Sequence, residues 1–150
     1  MVKILDEKFS AAGPDHIGIR LWTAYEAWKG EFVRAMNAAG HDWFTPSRAT
    51  LLGFVPRSGL RQATLIARMG TSKQAVQQLV DGLEADGVLE RAADPKDRRG
   101  KIICYTQRGL AALRDADAIK REIEKRYRQQ MGDEPFRVLF ELLGKLPPGD

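Results

Sequence analysis

Apolar residues recur at three- and four-residue intervals along most of the chain and follow strand-like patterns only briefly. Leu21, Trp22, Tyr25, Trp28, Phe32 and Met36 form one stripe of a predicted helix from His16 to Asn37. Ala38-Ala39-Gly40 ends it, Gly40 being able to take the left-handed position beyond the last turn. A connector follows from His41 to Phe44. Thr45-Pro46 then reads as an N-cap with proline at the first helical position, opening a short helix that Pro56 stops after Val55. Leu60 to Met69 predict another short helix with Leu65, Ile66 and Met69 inward and Gly70 behind it. Thr71 with Gln74 three residues on has the form of a capping box. The helix it opens runs to Asp86, with Val76, Leu79, Val80 and Leu83 on one stripe.

Val88-Leu89-Glu90-Arg91 and Lys101 to Tyr105 read as two short strands around a turn region, Ala93 to Gly100. Thr106 caps a long helix through Gln130, marked by Leu110, Leu113, Ile119, Ile123 and Tyr127. Gly132 to Pro135 break it, and Phe136, Leu139, Phe140, Leu143 and Leu146 mark a final helix. The predicted fold is mainly α with a small β-hairpin wing. A winged helix-turn-helix lobe at about 45–106 is flanked by helical dimerisation arms at about 10–40 and 107–147, all in one domain spanning residues 1–150.

Composition narrows the class. The 150 residues are 43% hydrophobic and 29% charged, as in folded globular chains. Acids and lysines interrupt the N-terminus from Met1 to Lys8 at once, so no secretory h-region is read there. No apolar run approaches the roughly 20 residues of a membrane span. The single cysteine, Cys104, fits a reducing compartment, and a cytoplasmic location without membrane contact is expected. No nucleophile with a paired base, metal-ligand set, phosphate-cradling glycine loop or tight carboxylate pair is visible. The expectation is therefore no enzyme, no catalytic residue, no metal and no cofactor. His16 and His41 match no metal-ligand spacing and suit capping or surface roles.

Net charge is +4, and its placement matters more than its size. Between Arg91 and Lys101 lie five bases (Arg91, Lys96, Arg98, Arg99, Lys101) against two acids (Asp94, Asp97). A compact basic loop suits phosphate binding, since it displaces condensed counterions. Just upstream, two short helices joined at Gly70 form a helix-turn-helix, whose second helix enters the major groove. That helix carries Ser72, Lys73, Gln74, Gln77 and Gln78 on its polar face, and its acids, Asp81, Glu84 and Asp86, come later. Glutamine bonds both N6 and N7 of adenine, while lysine and serine reach base edges or phosphates. Neither feature is specific alone. Their succession within about thirty residues points to double-stranded DNA.

The residues carrying this pattern are Thr71-Ser72-Lys73-Gln74-Ala75-Val76, Leu79 to Glu84, Gly87 to Arg91 and Asp94 to Arg99, closing with Thr106 and Gly109. Over 60–110 they resemble the MarR (multiple antibiotic resistance regulator) family of winged-helix repressors. The helical arms match that family in length and order only. The resemblance implies a homodimer built from the first and last helices, a wing in which Asp97 and Arg99 orient and contact DNA, and release by a small ligand or an oxidant. Tyr105, where the family often has leucine, is a minor departure. The oxidant-sensing branch uses a cysteine near the first helix, and residues 1–40 have none. Cys104, in a wing strand, reads as a small hydrophobe rather than that sensor.

Two further surfaces are expected. Trp22, Tyr25, His41, Trp43 and Arg48 could line a pocket for a small aromatic or anionic effector, as family members often hold one between the arms and the DNA-binding lobe. Phe136, Leu139, Phe140 and Leu143 could bury a homodimer interface, which gives two recognition helices for a palindrome. The leading function is a ligand-responsive dimeric repressor that binds DNA sequence-specifically. The alternative is a winged-helix protein-interaction module that does not bind DNA.

Overall fold

The computed structural model describes residues 13–148. The leader reading at Met1 to Lys8 and the first residues, 10–12, of the expected N-terminal arm lie outside the described residues. Helix α1 (Ile17–Ala38) starts at His16, whose Nδ1 accepts from the Ile19 amide at 3.4 Å. Its C-terminal half buries Phe32, Val33 and Met36, while Ile17, Trp22 and Tyr25 in its N-terminal half stay exposed. The Asn37 amide nitrogen donates to the carbonyls of His41 (2.9 Å) and Phe44 (2.8 Å), which fixes the connector. Helix α2 (Pro46–Gly53) begins as expected, with Thr45 as N-cap and Pro46 at its first position.

The lobe follows. Strand β1 (Leu60–Arg61) leads into α3 (Gln62–Met69), and α4 (Lys73–Ala85) comes next. Between the two helices Gly70 adopts φ +62, ψ 18, a left-handed geometry that side chains resist and glycine takes freely. Strands β2 (Leu89–Asp94) and β3 (Asp97–Tyr105) form the hairpin, and the sheet order is β1-β3-β2, all antiparallel. Leu51, Leu65, Val76, Val80, Leu83, Val88, Leu89 and Ile103 meet in the lobe core, each no more than 1% exposed.

Helix α5 (Gln107–Met131) is tied to the lobe at its start. Thr106 Oγ1 accepts from the Gly109 amide (3.0 Å) and donates to the Gly87 carbonyl (2.6 Å). Gly109 lies so close to strand entry that a Cβ there would sit 2.1 Å from the Val88 carbonyl oxygen. Ala112, Ala116 and Ile123 then pack towards α1 within the same core. Helix α6 (Asp133–Leu143) closes the described chain. Arrangement and element order are those of a winged helix-turn-helix lobe between helical arms.

Several local expectations are corrected. Leu60 and Arg61 are strand, pairing with Ile103 and Ile102, and not the first turn of a helix. Ser72, not Thr71, caps α4: its Oγ accepts from the Ala75 amide at 3.1 Å. The wing is longer than predicted, since the turn region folds into the ladder and only Pro95 and Lys96 remain between the strands. The break before α6 is Gly132 alone. Pro135 sits in the first turn of α6, where its missing N–H costs no helical bond, and the helix ends before Leu146.

Candidate nucleic-acid interface

Helix α4 has no acid in its first turn. Lys73, Gln74 and Gln78 are exposed, and Gln77 is half-buried at the edge of the same face. The opposite face, Val76, Val80 and Leu83, is seated in the lobe core. Exposed amide nitrogens and the positive end of the helix dipole favour anions at this end. Ser72 is exposed but its Oγ already serves as the cap, so its hydroxyl proton is what remains for another partner.

The hairpin presents Lys96, Asp97, Arg98, Arg99 and Lys101 outward, and all five are exposed. Among the described residues the four bases form no ion pair. Successive strand residues alternate in direction, so Arg99 and Lys101 share a side of β3 and Arg98 takes the other. Two aspartates shape the turn. Asp97 Oδ1 accepts from the Arg99 amide at 2.9 Å. Asp94 is buried: Oδ1 accepts from the Lys96 amide (2.9 Å) and Oδ2 pairs with Arg61 Nε (2.9 Å). Gly100 lets the strand pass beside it, since a Cβ there would be 3.3 Å from Asp94 Cβ.

The basic cluster read from the sequence is thereby divided. Arg91 points away from the outer surface, its side chain 19% exposed and bound to Asp81, Glu84 and Gln62. The outward set is Lys96, Arg98, Arg99 and Lys101.

A cavity of about 250 Å³ opens between α1, α2, the end of β3 and α5. Tyr25, Trp28, Phe32, Trp43, Leu52 and Tyr105 supply much of its wall, and Ala112 and Ala116 of α5 leave room for it. Lys29 and Lys120 are its charged lining residues, their ammonium groups 5.1 and 5.2 Å from the Tyr25 and Phe32 ring centres. Trp43 Nε1 is buried with no hydrogen-bond partner. Tyr105 donates its hydroxyl to the carbonyls of Val55 (3.0 Å) and Leu52 (3.3 Å), and burial pushes its pKa up to about 12.

Of the residues expected at an effector pocket, Tyr25 and Trp43 line this cavity. Trp22, His41 and Arg48 do not. Trp22 is on the exposed half of α1. His41 Nε2 pairs with Asp115 Oδ2 at 2.8 Å, and Arg48 Nη1 donates to the Trp43 carbonyl (2.9 Å) and to Asp86 (2.7 Å), so both brace the segment around Trp43. The sequence reading missed Lys29, Lys120 and the alanines. The small residues at 109, 112 and 116, one per turn of α5, were the available signal.

Among the residues expected at a dimer interface, Leu139, Phe140 and Leu143 are exposed. Phe136 is not, being 6% exposed and packed inside its own chain, with the Arg128 guanidinium 4.4 Å from its ring centre. Among the described residues no cluster of three or more metal-ligating side chains occurs, and no helix is long and apolar enough to cross a membrane.

The sequence model of the MarR family matches residues 44–100, which hold α2, the helix-turn-helix and most of the wing. Over those residues the chain is similar to the MarR family. It is 22% identical to the transcriptional regulator HosA of Escherichia coli O111:H- over 105 residues, 70% of this chain and 78% of that protein. Its fold matches wild-type apo MarR from E. coli with a TM-score of 0.74 at 16% identity, covering 91% of this chain and 99% of that one. CouR from Rhodococcus jostii RHA1 bound to p-coumaroyl-CoA matches with a TM-score of 0.63 at 24% identity, covering 86% and 89%. The transcriptional repressor CouR on a 23-mer DNA duplex matches at 0.66 and 23% identity, covering 86% and 90%. These likenesses show a shared winged-helix fold.

Proposed function

We propose that the chain is a cytoplasmic, dimeric, ligand-responsive repressor of a palindromic operator, built as one domain with the lobe at about 45–106 between two helical arms. The observation that carries this reading is the acid-free start of α4 beside a wing whose four outward bases have no ion pair among the described residues. In the bound state Gln74 and Gln77 read base edges, with Ser72, Lys73 and Gln78 supporting them at bases or phosphates. Lys96, Arg98, Arg99 and Lys101 hold the backbone or the minor groove, and Asp97 keeps Arg99 oriented through the shape of the turn. Leu139, Phe140 and Leu143 face the second copy. The cavity beside Trp43 takes the effector, an aromatic body whose acceptor meets Trp43 Nε1 and whose negative charge meets Lys29 or Lys120. CouR, with the same fold, is known in complex with DNA and with p-coumaroyl-CoA. Filling the cavity favours a dimer geometry whose recognition helices no longer match two half-sites.

Selection of binders from a random duplex library tests this reading. An enriched palindrome with half-sites near 10 base pairs apart, bound with steep salt dependence, is the expected outcome. Absence of enrichment would sink the repressor and leave the protein-interaction module. Salicylate-like compounds serve as effector probes: tryptophan emission and operator affinity should both shift.

A further inference from the structure

Arg91 is the most heavily engaged base of the wing, and all its partners are internal. Nε donates to Gln62 Oε1 at 2.9 Å, Nη2 to Asp81 Oδ1 at 2.7 Å, and Nη1 to Glu84 Oε2. Its backbone amide also donates to Glu84 Oε1 at 3.3 Å. Gln62 opens α3, Asp81 and Glu84 lie one turn apart on α4, and Arg91 is in β2. One planar guanidinium therefore joins the first helix of the helix-turn-helix, the recognition helix and the wing. A flexible ammonium lacks that fixed fork of donors. Asp81 and Glu84 lie in the second half of α4, past its acid-free start, and Gln62 opens α3, so these bonds draw the Arg91 side chain towards the two helices.

We propose that Arg91 is a positioning residue for DNA recognition: it makes no contact with DNA, and its tie to Gln62, Asp81 and Glu84 sets the wing at the spacing from α4 at which bases and phosphates are engaged together. The proposal rests on the reading of this lobe as a DNA reader. It divides the basic hairpin into a contacting set and an internal tie. The tie serves base reading more than general attraction, because phosphate contacts tolerate a shifted wing and base-edge contacts do not.

The test compares the full-length protein with Arg91→Lys, with Arg91→Met/Asp81→Asn and with Arg99→Ala, on the selected operator and on random duplex, across a salt series. The double variant keeps the local formal charge of the trio unchanged. Its operator affinity should fall roughly tenfold, the loss of one well-placed base contact. Affinity for random duplex should change far less, and the slope of log affinity against log salt should stay at the wild-type value. Arg91→Lys should not rescue. Arg99→Ala should lower the slope by about 0.9, one phosphate contact. A slope lowered to the same extent in the double variant would make Arg91 a phosphate contact and overturn the proposal. Wild-type operator affinity in the double variant would reduce Arg91 to charge cancellation and overturn it too. A separate measurement needs no DNA: spin labels at Ala85→Cys and Ala93→Cys, in a Cys104→Ser background, report the helix-to-wing distance. Arg91→Met should broaden that distribution, and an unchanged one would show that no tie exists. If wild-type protein selects no duplex while the distance still broadens, the DNA reading fails and the tie stands as a structural link only.

Discussion

Where the wing meets the helix below it, one hydroxyl serves two carbonyls. Tyr105 donates to Val55 and Leu52, at the end of α2, while its ring is buried at the cavity. The hydroxyl carried no visible weight in the sequence, because its partners are 50 and 53 residues away. Tyr105→Phe removes the hydroxyl donor from the Val55 carbonyl, while Leu52 keeps the Val55 amide at 3.1 Å, and should cost about 1–2 kcal/mol in denaturant unfolding. The pH sign follows from burial, which disfavours the tyrosinate and lifts the pKa from 10.0 to about 12. The neutral side chain stabilises the fold fully below pH 10. That contribution is lost as pH rises towards 12. Ultraviolet titration should show a tyrosinate step near pH 12 that coincides with loss of structure and is absent from Tyr105→Phe.

Element ends divide into those that local chemistry decides and those it does not. Thr45-Pro46, Gly70 and Thr106 punctuate the chain where their chemistry says they should, since caps and left-handed glycines act within four residues. The cap of α4 is a closer contest, because Thr71 and Ser72 are both competent and the start of the helix moves by one residue between them. The structure settles on Ser72, with its Oγ on the Ala75 amide. Ser72→Ala should therefore lower stability by about 1 kcal/mol, and Thr71→Ala should leave it nearly unchanged, as read by thermal melts. Strand β1 was hidden for a different reason. Two residues have no periodicity, and Leu60 and Arg61 become strand only because Ile103 and Ile102 arrive beside them.

At the scale of the molecule, one chain leaves apolar surface on two arms. Ile17 and Trp22 of α1 are 70% and 54% exposed, and Phe140 and Leu142 of α6 are 65% and 54%. Such faces on both terminal arms suit a second copy, with the symmetry that a palindrome requires. Phe140→Asp with Leu143→Asp should give a monomer by sedimentation at micromolar concentration. Operator affinity should fall steeply, with the lobe's own fold retained by circular dichroism. Phe136 is unsuitable for this purpose because its ring is already buried in its own chain.

The sequence by itself determined the order of elements, the helical stripes, most caps and the placement of a polar, acid-free helix start ahead of a basic hairpin. Each depends on residues within a few positions of one another, so spacing reveals it. Tertiary structure decided which of those side chains are free to act. Arg91 counts as one more base in a list of charges, yet Asp81, Glu84 and Gln62 hold it against the two helices. Phe136 and Phe140 lie on one stripe of the same helix, and only contact with α5 separates the buried ring from the exposed one. The cavity takes its walls from four elements, and Trp43 lacks a partner for its indole N–H only because of what folds around it. Burial and long-range pairing are set by residues tens of positions apart, and their distances exist only once the chain has folded.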